Sequence, residues 1–201
     1  MLENQMMLLA VFERAALMLM TLFLLTRTRP FQRLFQKRDH TPAELVLVAS
    51  IFCLFAVFST YTGIPVEGAL INVRIIAIIS GGILFGPWVG IPAGVISGLH
   101  RYLIDMDGHT SIPCLIASII AGLLATWLHL RCRKSRLWLY GILAGMLCEG
   151  LTMLLIWLLT EPHEVGVEIV SHIAYPMIAG ALCIGLIIKL VQDLDDEKEL
   201  I

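Results

Sequence analysis

Charged residues are scarce in this sequence. Of its 201 residues only 15% are Asp, Glu, Lys or Arg, whereas 58% are hydrophobic and the mean hydropathy is +0.87. A soluble domain of ordinary composition has about a quarter charged residues. The scarcity therefore excludes a soluble globular protein and indicates an integral membrane protein. The net charge of −2 identifies no partner, because in a membrane protein the positions of the charges carry the information.

Catalytic and cofactor motifs are missing as well. The five cysteines are scattered without a C-x-x-C pair, so neither a disulfide framework nor a metal site is predicted. The sequence has no H-x-x-x-H pair, no GxGxxG, no P-loop and no convincing pairing of a nucleophile with a base. It also lacks the basic region and cleavage site of a signal peptide, so the first apolar run should be retained. We expect no catalytic residue, no metal and no cofactor in this chain.

Long apolar runs occupy most of the chain. A spanning helix needs about 20 apolar residues, and the candidates are residues 5–25, 43–61, 70–85, 88–104, 111–130, 137–159 and 165–190. The third and fourth are short and are joined by Gly86 and Pro87, a turn signal, so they form either two thin spans or a re-entrant hairpin. The predicted fold is an all-α polytopic membrane bundle of six to seven segments that includes this glycine-rich hairpin.

Basic residues lie in only two of the connecting segments. Five fall between the first two candidates and four between the fifth and sixth: Arg27, Arg29, Arg33, Lys37 and Arg38, then Arg131, Arg133, Lys134 and Arg136. Residues 62–69, 105–110 and 160–164 contain no Lys or Arg. The positive-inside rule therefore predicts cytoplasmic basic loops, an outer N-terminus and an inner C-terminus. Binding of nucleic acid or anionic lipid by these loops is the weaker alternative, and no direct nucleic-acid contact is predicted.

Two arginines interrupt the hairpin. Arg74 stands at the outer start of the third segment and Arg101 at the outer end of the fourth, at similar predicted depth. An arginine at the centre of a membrane helix costs about 2.5–3.5 kcal/mol on insertion scales. The alternative to a binding role is that both side chains anchor at the interface. Positive-inside statistics disfavour basic anchors on the outer side, so we favour a ligand site.

A glycine stripe and a helix start surround these arginines. Gly90, Gly94 and Gly98 continue from Gly86 at four-residue spacing, which is typical of close helix packing and would hold Arg101 in place. The fifth segment begins near Ser111, where a helix N-terminus attracts anions. Arginine binds carboxylates bidentately, so a small carboxylate is the predicted ligand. The candidate ligand-binding residues are Arg74, Arg101, Cys114, Ser118, Asn72 and Ser111.

Glu149 is a further polar residue in the middle of a predicted span. An ionisable residue at that depth is a functional candidate by default. The alternative is a structural role as the partner of Arg14 or of an arginine of the site. The spacing leaves both interpretations open.

Three motifs together resemble the membrane receptor region of LytS/YpdA-type sensor histidine kinases. These are Asn72-Val73-Arg74, the glycine run that ends in His100-Arg101-Tyr102, and Pro113-Cys114 at a helix start. The resemblance extends from Met7 to about Lys198. It implies a bacterial cytoplasmic (inner) membrane protein that senses an extracellular small molecule, pyruvate in the enterobacterial members. It also implies a GAF domain and a kinase region downstream and a LytTR-type response regulator as partner.

The resemblance also maps a ligand site onto this chain. The family pattern corresponds to Arg74, Arg101 and Cys114, with a hydroxyl residue one turn further on. Here that position is Ala117, and Ser118 is the predicted substitute. Kinase activation in trans implies a homodimer, surrounded by membrane lipid.

Residues 192–201 (QDLDDEKELI) change abruptly to charged helix formers. We therefore expect a transmembrane sensory domain over residues 1–191 and the start of a cytoplasmic helical linker over residues 192–201. No phosphoacceptor or ATP-binding motif is visible, so whether the parent protein is an enzyme rests on the resemblance. The alternative function is a transporter, or a substrate-binding membrane subunit, for a small carboxylate. A transporter would normally need a polar path to the cytoplasm. That alternative is weaker because Glu149 is the only acid deep in the later spans.

Overall fold

The computed structural model describes residues 2–26, 41–66, 69–132 and 136–199. Within these ranges the chain forms eight helices and one short β-hairpin. The elements are α1 (Leu2–Thr26), α2 (Pro42–Tyr61), β1 (Ile64–Val66), β2 (Ala69–Ile71), α3 (Arg74–Phe85), α4 (Pro87–Ile104), α5 (Ser111–Arg131), α6 (Leu137–Leu159), α7 (His163–Gly180) and α8 (Leu182–Glu199).

The predicted all-α membrane bundle is confirmed. Four stretches are long and apolar enough to cross a membrane: α2, α5, α6 and the joined α7–α8 stretch from His163 to Asp193. Each of the seven predicted segments coincides with a helix, and the last one is divided in two. The β-hairpin was not predicted, because strands of three residues are too short to show an alternating pattern. It pairs Ile64 with Ile71 in antiparallel register.

Local sequence signals explain where several helices begin. Thr41 and Glu44 form a reciprocal capping box at the start of α2, in which each side chain accepts a hydrogen bond from the other residue's main-chain N–H. Pro42 follows at the first helical position, where its missing N–H costs nothing. Gly86 has a φ of 78° and turns α3 into α4, which begins at Pro87.

The α3–α4 hairpin lies along α5. At the turn, the His129 ring of α5 makes a 2.8 Å hydrogen bond to the Ile83 carbonyl oxygen. Along the helices, a Cβ on Gly122 would lie 2.5 Å from the main-chain oxygen of Gly90. A Cβ on Gly94 would lie 2.5 Å from the main-chain oxygen of Ser118. The glycine stripe therefore permits close packing, as predicted, and the hairpin extends along nearly the whole length of α5.

The three segments without basic residues gather at one end of the bundle. We call it the hairpin end, after the β1–β2 hairpin that lies there. The Thr160 hydroxyl donates to the His109 carbonyl oxygen (3.4 Å), which joins residues 160–164 to residues 105–110. The His100 ring lies 3.3 Å from the Tyr61 hydroxyl, which joins the end of α4 to the end of α2. The β-hairpin contacts α7 at the same end.

The last span is interrupted at Ala181, five residues after Pro176. Beyond the interruption, α8 continues to Glu199, so the charged tail extends the span as a helix, as expected. α8 packs on α6 through small residues. A Cβ on Gly141 would lie 2.4 Å from Ile188, and one on Gly145 would lie 2.4 Å from Ile184.

Candidate functional site

The two arginines of the hairpin are both buried in the protein. Arg74 is 2% exposed and Arg101 is fully buried, which is rare for arginine unless it is paired. Both lie at the hairpin end, Arg74 at the start of α3 and Arg101 in the last turn of α4. Arg74 is 12 residues and Arg101 15 residues from Gly86. At 1.5 Å per residue, Arg74 therefore lies about one helical turn nearer to the Gly86 turn, and so farther from the hairpin end, than Arg101 does.

Arg74 is oriented by the second and third turns of α5. Its Nε donates to the Ser118 hydroxyl (2.9 Å) and its Nη2 donates to the Cys114 main-chain oxygen (3.4 Å). Its main-chain N–H donates to the Asn72 side-chain oxygen (3.2 Å). Nη1 has no partner in the part of the chain that the structure describes. Arg74 thus keeps one donor group free after its position has been set.

Ser118 contacts Arg74 directly. Its hydroxyl accepts from Arg74 and donates to the Cys114 main-chain oxygen at 2.6 Å. The one donor and one of the two acceptor sites of the hydroxyl are therefore used within the protein. Ser118 positions the guanidinium, and it is not among the residues that line the adjacent cavity.

Arg101 is held by an acid that sequence reasoning missed. Its Nη2 donates to the Asp105 carboxylate (3.1 Å) and to the Thr110 hydroxyl (3.0 Å). Within the described ranges its Nε and Nη1 have no partner. The Asp105 side chain is 41% exposed, so this ion pair reaches solvent at the hairpin end. The four-residue spacing of Arg101 and Asp105 was the available signal.

Both guanidiniums bind residues at the start of α5. Ser111 is fully buried, and its hydroxyl donates to the Asp105 main-chain oxygen, which closes the 105–110 loop over the helix start. Arg101 binds Thr110 at the N-cap, while Arg74 binds one and two turns further along the helix. The structure thus brings all six predicted residues to one region around the first two turns of α5.

A small cavity lies beside Arg74. Its volume, counted as the space that the centre of a water-sized sphere can occupy, is about 20 Å³. One water requires about 10–15 Å³ by the same measure, so the cavity can hold a water. Its polar lining comes from Asn72, Arg74, Thr110, Cys114, Glu149 and Thr152, and its apolar lining from Leu70, Ile75, Ile156, Ile173 and Met177. Arg101 and Ser111 are not among the lining residues. Arg101 is linked to the cavity through Thr110, which it contacts.

Glu149 is the acid of this cavity. It is 3% exposed, and its Oε2 has no partner among the described residues. The sequence left its partner open between Arg14 and an arginine of the site; Arg74 lines the same cavity as Glu149, and Arg14 does not line it. Within the described part of the chain, no group of three or more His, Cys, Asp or Glu residues is arranged to hold a metal ion.

The fold thus defines a multi-pass membrane protein with buried arginines at one end of its helical bundle. The family model described as the 5TMR of 5TMR-LYT matches residues 28–194. This chain is 58% identical over 193 residues to the sensor histidine kinase YpdA of Escherichia coli (strain K12), a match that covers 96% of this chain and 34% of that protein. No solved structure matches.

Two more distant relatives point to the same family. The sensor protein LytS of Bacillus subtilis (strain 168) is 31% identical over 188 residues, covering 84% of this chain and 31% of that protein. The sensor histidine kinase BtsS of Escherichia coli (strain K12) is 32% identical over 175 residues, with the same two coverages. The chain spans about a third of the length of the curated relatives it matches.

The chain belongs to the 5TMR-LYT family. It is a membrane sensor domain of the LytS/YpdA type, and its apolar helices make it a multi-pass inner-membrane protein. The family resemblance drawn from the three motifs is therefore confirmed.

Proposed function

We propose that this domain binds pyruvate or a similar small carboxylate between Arg74 and Arg101 and signals its presence to a cytoplasmic kinase region. The observation that carries the proposal is the set of unsatisfied donors on two buried guanidiniums. Arg74 Nη1 and Arg101 Nε and Nη1 have no partner among the described residues. Leaving buried charged donors unpaired is costly, and a carboxylate is the group that arginine binds best.

The small cavity makes binding and movement interdependent. Its open space admits about one water, and a ligand of pyruvate's size is several times larger. Binding therefore widens the space between α3, α5, α6 and α7, which contribute the lining residues. A ligand shifts such an equilibrium only by its differential affinity for the two states. The typical coupling is about 1–3 kcal/mol.

The proposed orientation places the hairpin end outside the cell. The segments without basic residues meet there, and the positive-inside rule assigns such loops to the outer side. The N-terminus is then outside and the C-terminus inside. In this arrangement α8 leads from the membrane toward the kinase region of the full-length protein, and a LytTR-type response regulator is the partner of that kinase. Two copies of the domain act together, since phosphorylation in trans requires two protomers.

A carboxylate transporter is the second candidate, and Glu149 is the observation that favours it. A buried acid in a membrane cavity is a common element of ion-coupled transport. Against it, the cavity lining ends at Glu149, near the middle of α6, and no polar path continues from it among the lining residues. Uptake of labelled pyruvate into vesicles that contain only this chain would favour transport over sensing.

Calorimetry of purified Arg74→Ala and Arg101→Ala variants against pyruvate tests the site. Removing one partner of a desolvated charge pair costs about 2–5 kcal/mol, so each variant should lose measurable binding of a micromolar ligand. Arg→Lys at either position should also weaken binding strongly, because an ammonium cannot replace the planar fork.

Arg131→Ala is the matched control, since Arg131 is exposed at the opposite end of α5. Its affinity for pyruvate should equal that of the unmodified chain. If both buried-arginine variants fold and bind pyruvate with unchanged affinity, the arginines are interfacial anchors and the proposed site is wrong.

A further inference from the structure

Glu149 is a buried acid that the proposed carboxylate site does not use. It lies near the middle of α6, is 3% exposed, and leaves Oε2 without a partner among the described residues. A carboxylate in the interior of a membrane protein is strongly disfavoured unless it is paired or hydrogen-bonded. Packing alone gives no reason for an acid here, and an ionised Glu149 requires a counter-charge.

Arg14, whose buried Nη1 also has no partner among the described residues, does not line the cavity of Glu149, so the counter-charge in that cavity is Arg74. Its Nη1 is also buried and without a partner in the described residues, and both side chains line the same cavity. The open space between the lining residues is large enough for one water, which can bridge the two groups. Arg101, in contrast, already has the Asp105 carboxylate at 3.1 Å. Asp105 is thus the acid of Arg101, and Glu149 is the acid that shares the cavity with Arg74.

We propose that Glu149 is the resident counter-ion of Arg74 and that the carboxylate of the ligand displaces it. The displacement rests on the proposed function, whereas the proposed pairing of Glu149 with Arg74 through a water needs no ligand. Two anions cannot share one buried guanidinium without repelling each other. Occupancy of the site therefore removes from Glu149 the charge that holds it toward α3.

The position of Glu149 on α6 gives this displacement a consequence. Gly141, Gly145 and Glu149 follow one another at four-residue spacing and so lie on one face of the helix. The two glycines pack against Ile184 and Ile188 of α8. A Cβ on Gly145 would also lie 3.0 Å from the Ala181 side chain, at the interruption of the last span. A shift of Glu149 therefore acts on the face of α6 that contacts α8, the helix that continues to Glu199.

Pyruvate calorimetry on Glu149→Gln tests the displacement. The amide keeps the shape of the side chain and removes the competing charge, so pyruvate should bind about tenfold more tightly, within the 5–150-fold range typical of coupled sites. Glu13→Gln is the matched control, because Glu13 is an exposed acid in α1 that does not line the cavity, and its affinity should not change. Unchanged or weaker binding by Glu149→Gln would overturn the competition.

A double-mutant cycle without ligand tests the ion pair itself. Arg74→Gln and Glu149→Gln should each lower the thermal unfolding midpoint, because each leaves one buried charge uncompensated. The double variant should unfold at a higher temperature than the sum of the two shifts predicts. Additive shifts would reject the pair whatever the ligand does. Non-additive shifts in a chain that binds no pyruvate would support the pair and reject the proposed function, so the two failures are distinguishable.

Discussion

Cys114 shows how one residue can serve the site through two different groups. Its main-chain oxygen accepts from Arg74 and from Ser118 and so holds the guanidinium against α5. Its thiol lies beside the cavity and is 6% exposed. The main-chain contribution does not depend on the side chain, so the residue type matters only through what the thiol offers the ligand.

Replacing Cys114 with Ser should therefore do little harm. A hydroxyl can donate where the thiol did, and we expect pyruvate affinity to change by less than about 1 kcal/mol, the net value of an ordinary hydrogen bond. Calorimetry measures the change. Cys148→Ser is the control for the cost of a buried polar group, since Cys148 is buried in α6 and does not line the cavity. A loss as large as that expected for Arg74→Ala would mean that the sulfur itself makes an essential contact.

The residues that were foreseen and those that were missed differ in one physical respect. Arg74 and Arg101 stand out because each breaks an apolar run, which local composition reveals. Asp105 lies just beyond its run in a polar loop, where an acid draws no attention. The hydrogen bond from Arg74 to the Ser118 hydroxyl depends on the rotation of α5 relative to α3. No spacing rule within a single helix predicts that rotation.

At the scale of elements, the α3–α4 hairpin is what brings the two arginines to the same end. α3 has only 12 residues and would be about 18 Å long, less than the ~30 Å hydrocarbon core. It is stabilised by packing, since nearly all of its residues are buried, including Ser80 and Gly82. The glycines of α4 and α5 let the helix backbones meet, and the hairpin can therefore hold Arg101 against Thr110.

A methyl group added at Gly122 tests this packing. Its Cβ would lie 2.5 Å from the main-chain oxygen of Gly90, which cannot move without separating α4 from α5. Gly122→Ala should destabilise the chain by about 1–3 kcal/mol, the usual cost of overpacking, and should weaken pyruvate binding with it. Thermal unfolding in detergent measures the first effect and calorimetry the second.

Gly150→Ala is the matched control for that variant. Gly150 is exposed on α6, and a Cβ there would have nothing within 4 Å. Alanine is preferred over glycine in a helix by about 1 kcal/mol or less, so this variant should be as stable as the unmodified chain or slightly more stable. Equal unfolding midpoints for the Gly122 and Gly150 variants would contradict close packing of α4 on α5.

At the scale of the whole molecule, the site and the charged tail lie at opposite ends of the bundle. The arginines lie at the hairpin end, whereas α8 leads away from it to Glu199. A signal must therefore cross the bundle, and α6, like α3 and α7, contacts both the cavity and α8. The direction of that signal across the membrane depends on the topology.

Labelling of introduced cysteines tests the topology. Labels at Gly108 and His163, both at the hairpin end, should react with an impermeant reagent from outside the cell. Labels in residues 28–39, a basic segment outside the described residues, and a reporter fused after Ile201 should report the cytoplasm. Labelling of residues 28–39 from outside would reverse the proposed orientation and with it the side from which the ligand arrives.

Local composition was sufficient to predict the class of protein, a helix for each apolar run and the two arginines that break the apolar hairpin. Membrane insertion responds to the hydropathy of about 20 consecutive residues, so a single stretch of chain contains the information. The α3–α4 turn could be predicted for the same reason, because its signal is two adjacent residues, Gly86 and Pro87. The cavity, the Arg74 Nη1 that has no partner among the described residues, and the place of Glu149 in the same cavity did not follow from the sequence. They depend on how α3, α5, α6 and α7 pack together. Arg74 and Glu149 are more than 70 residues apart in the chain, so only contacts between distant segments decide which charges meet.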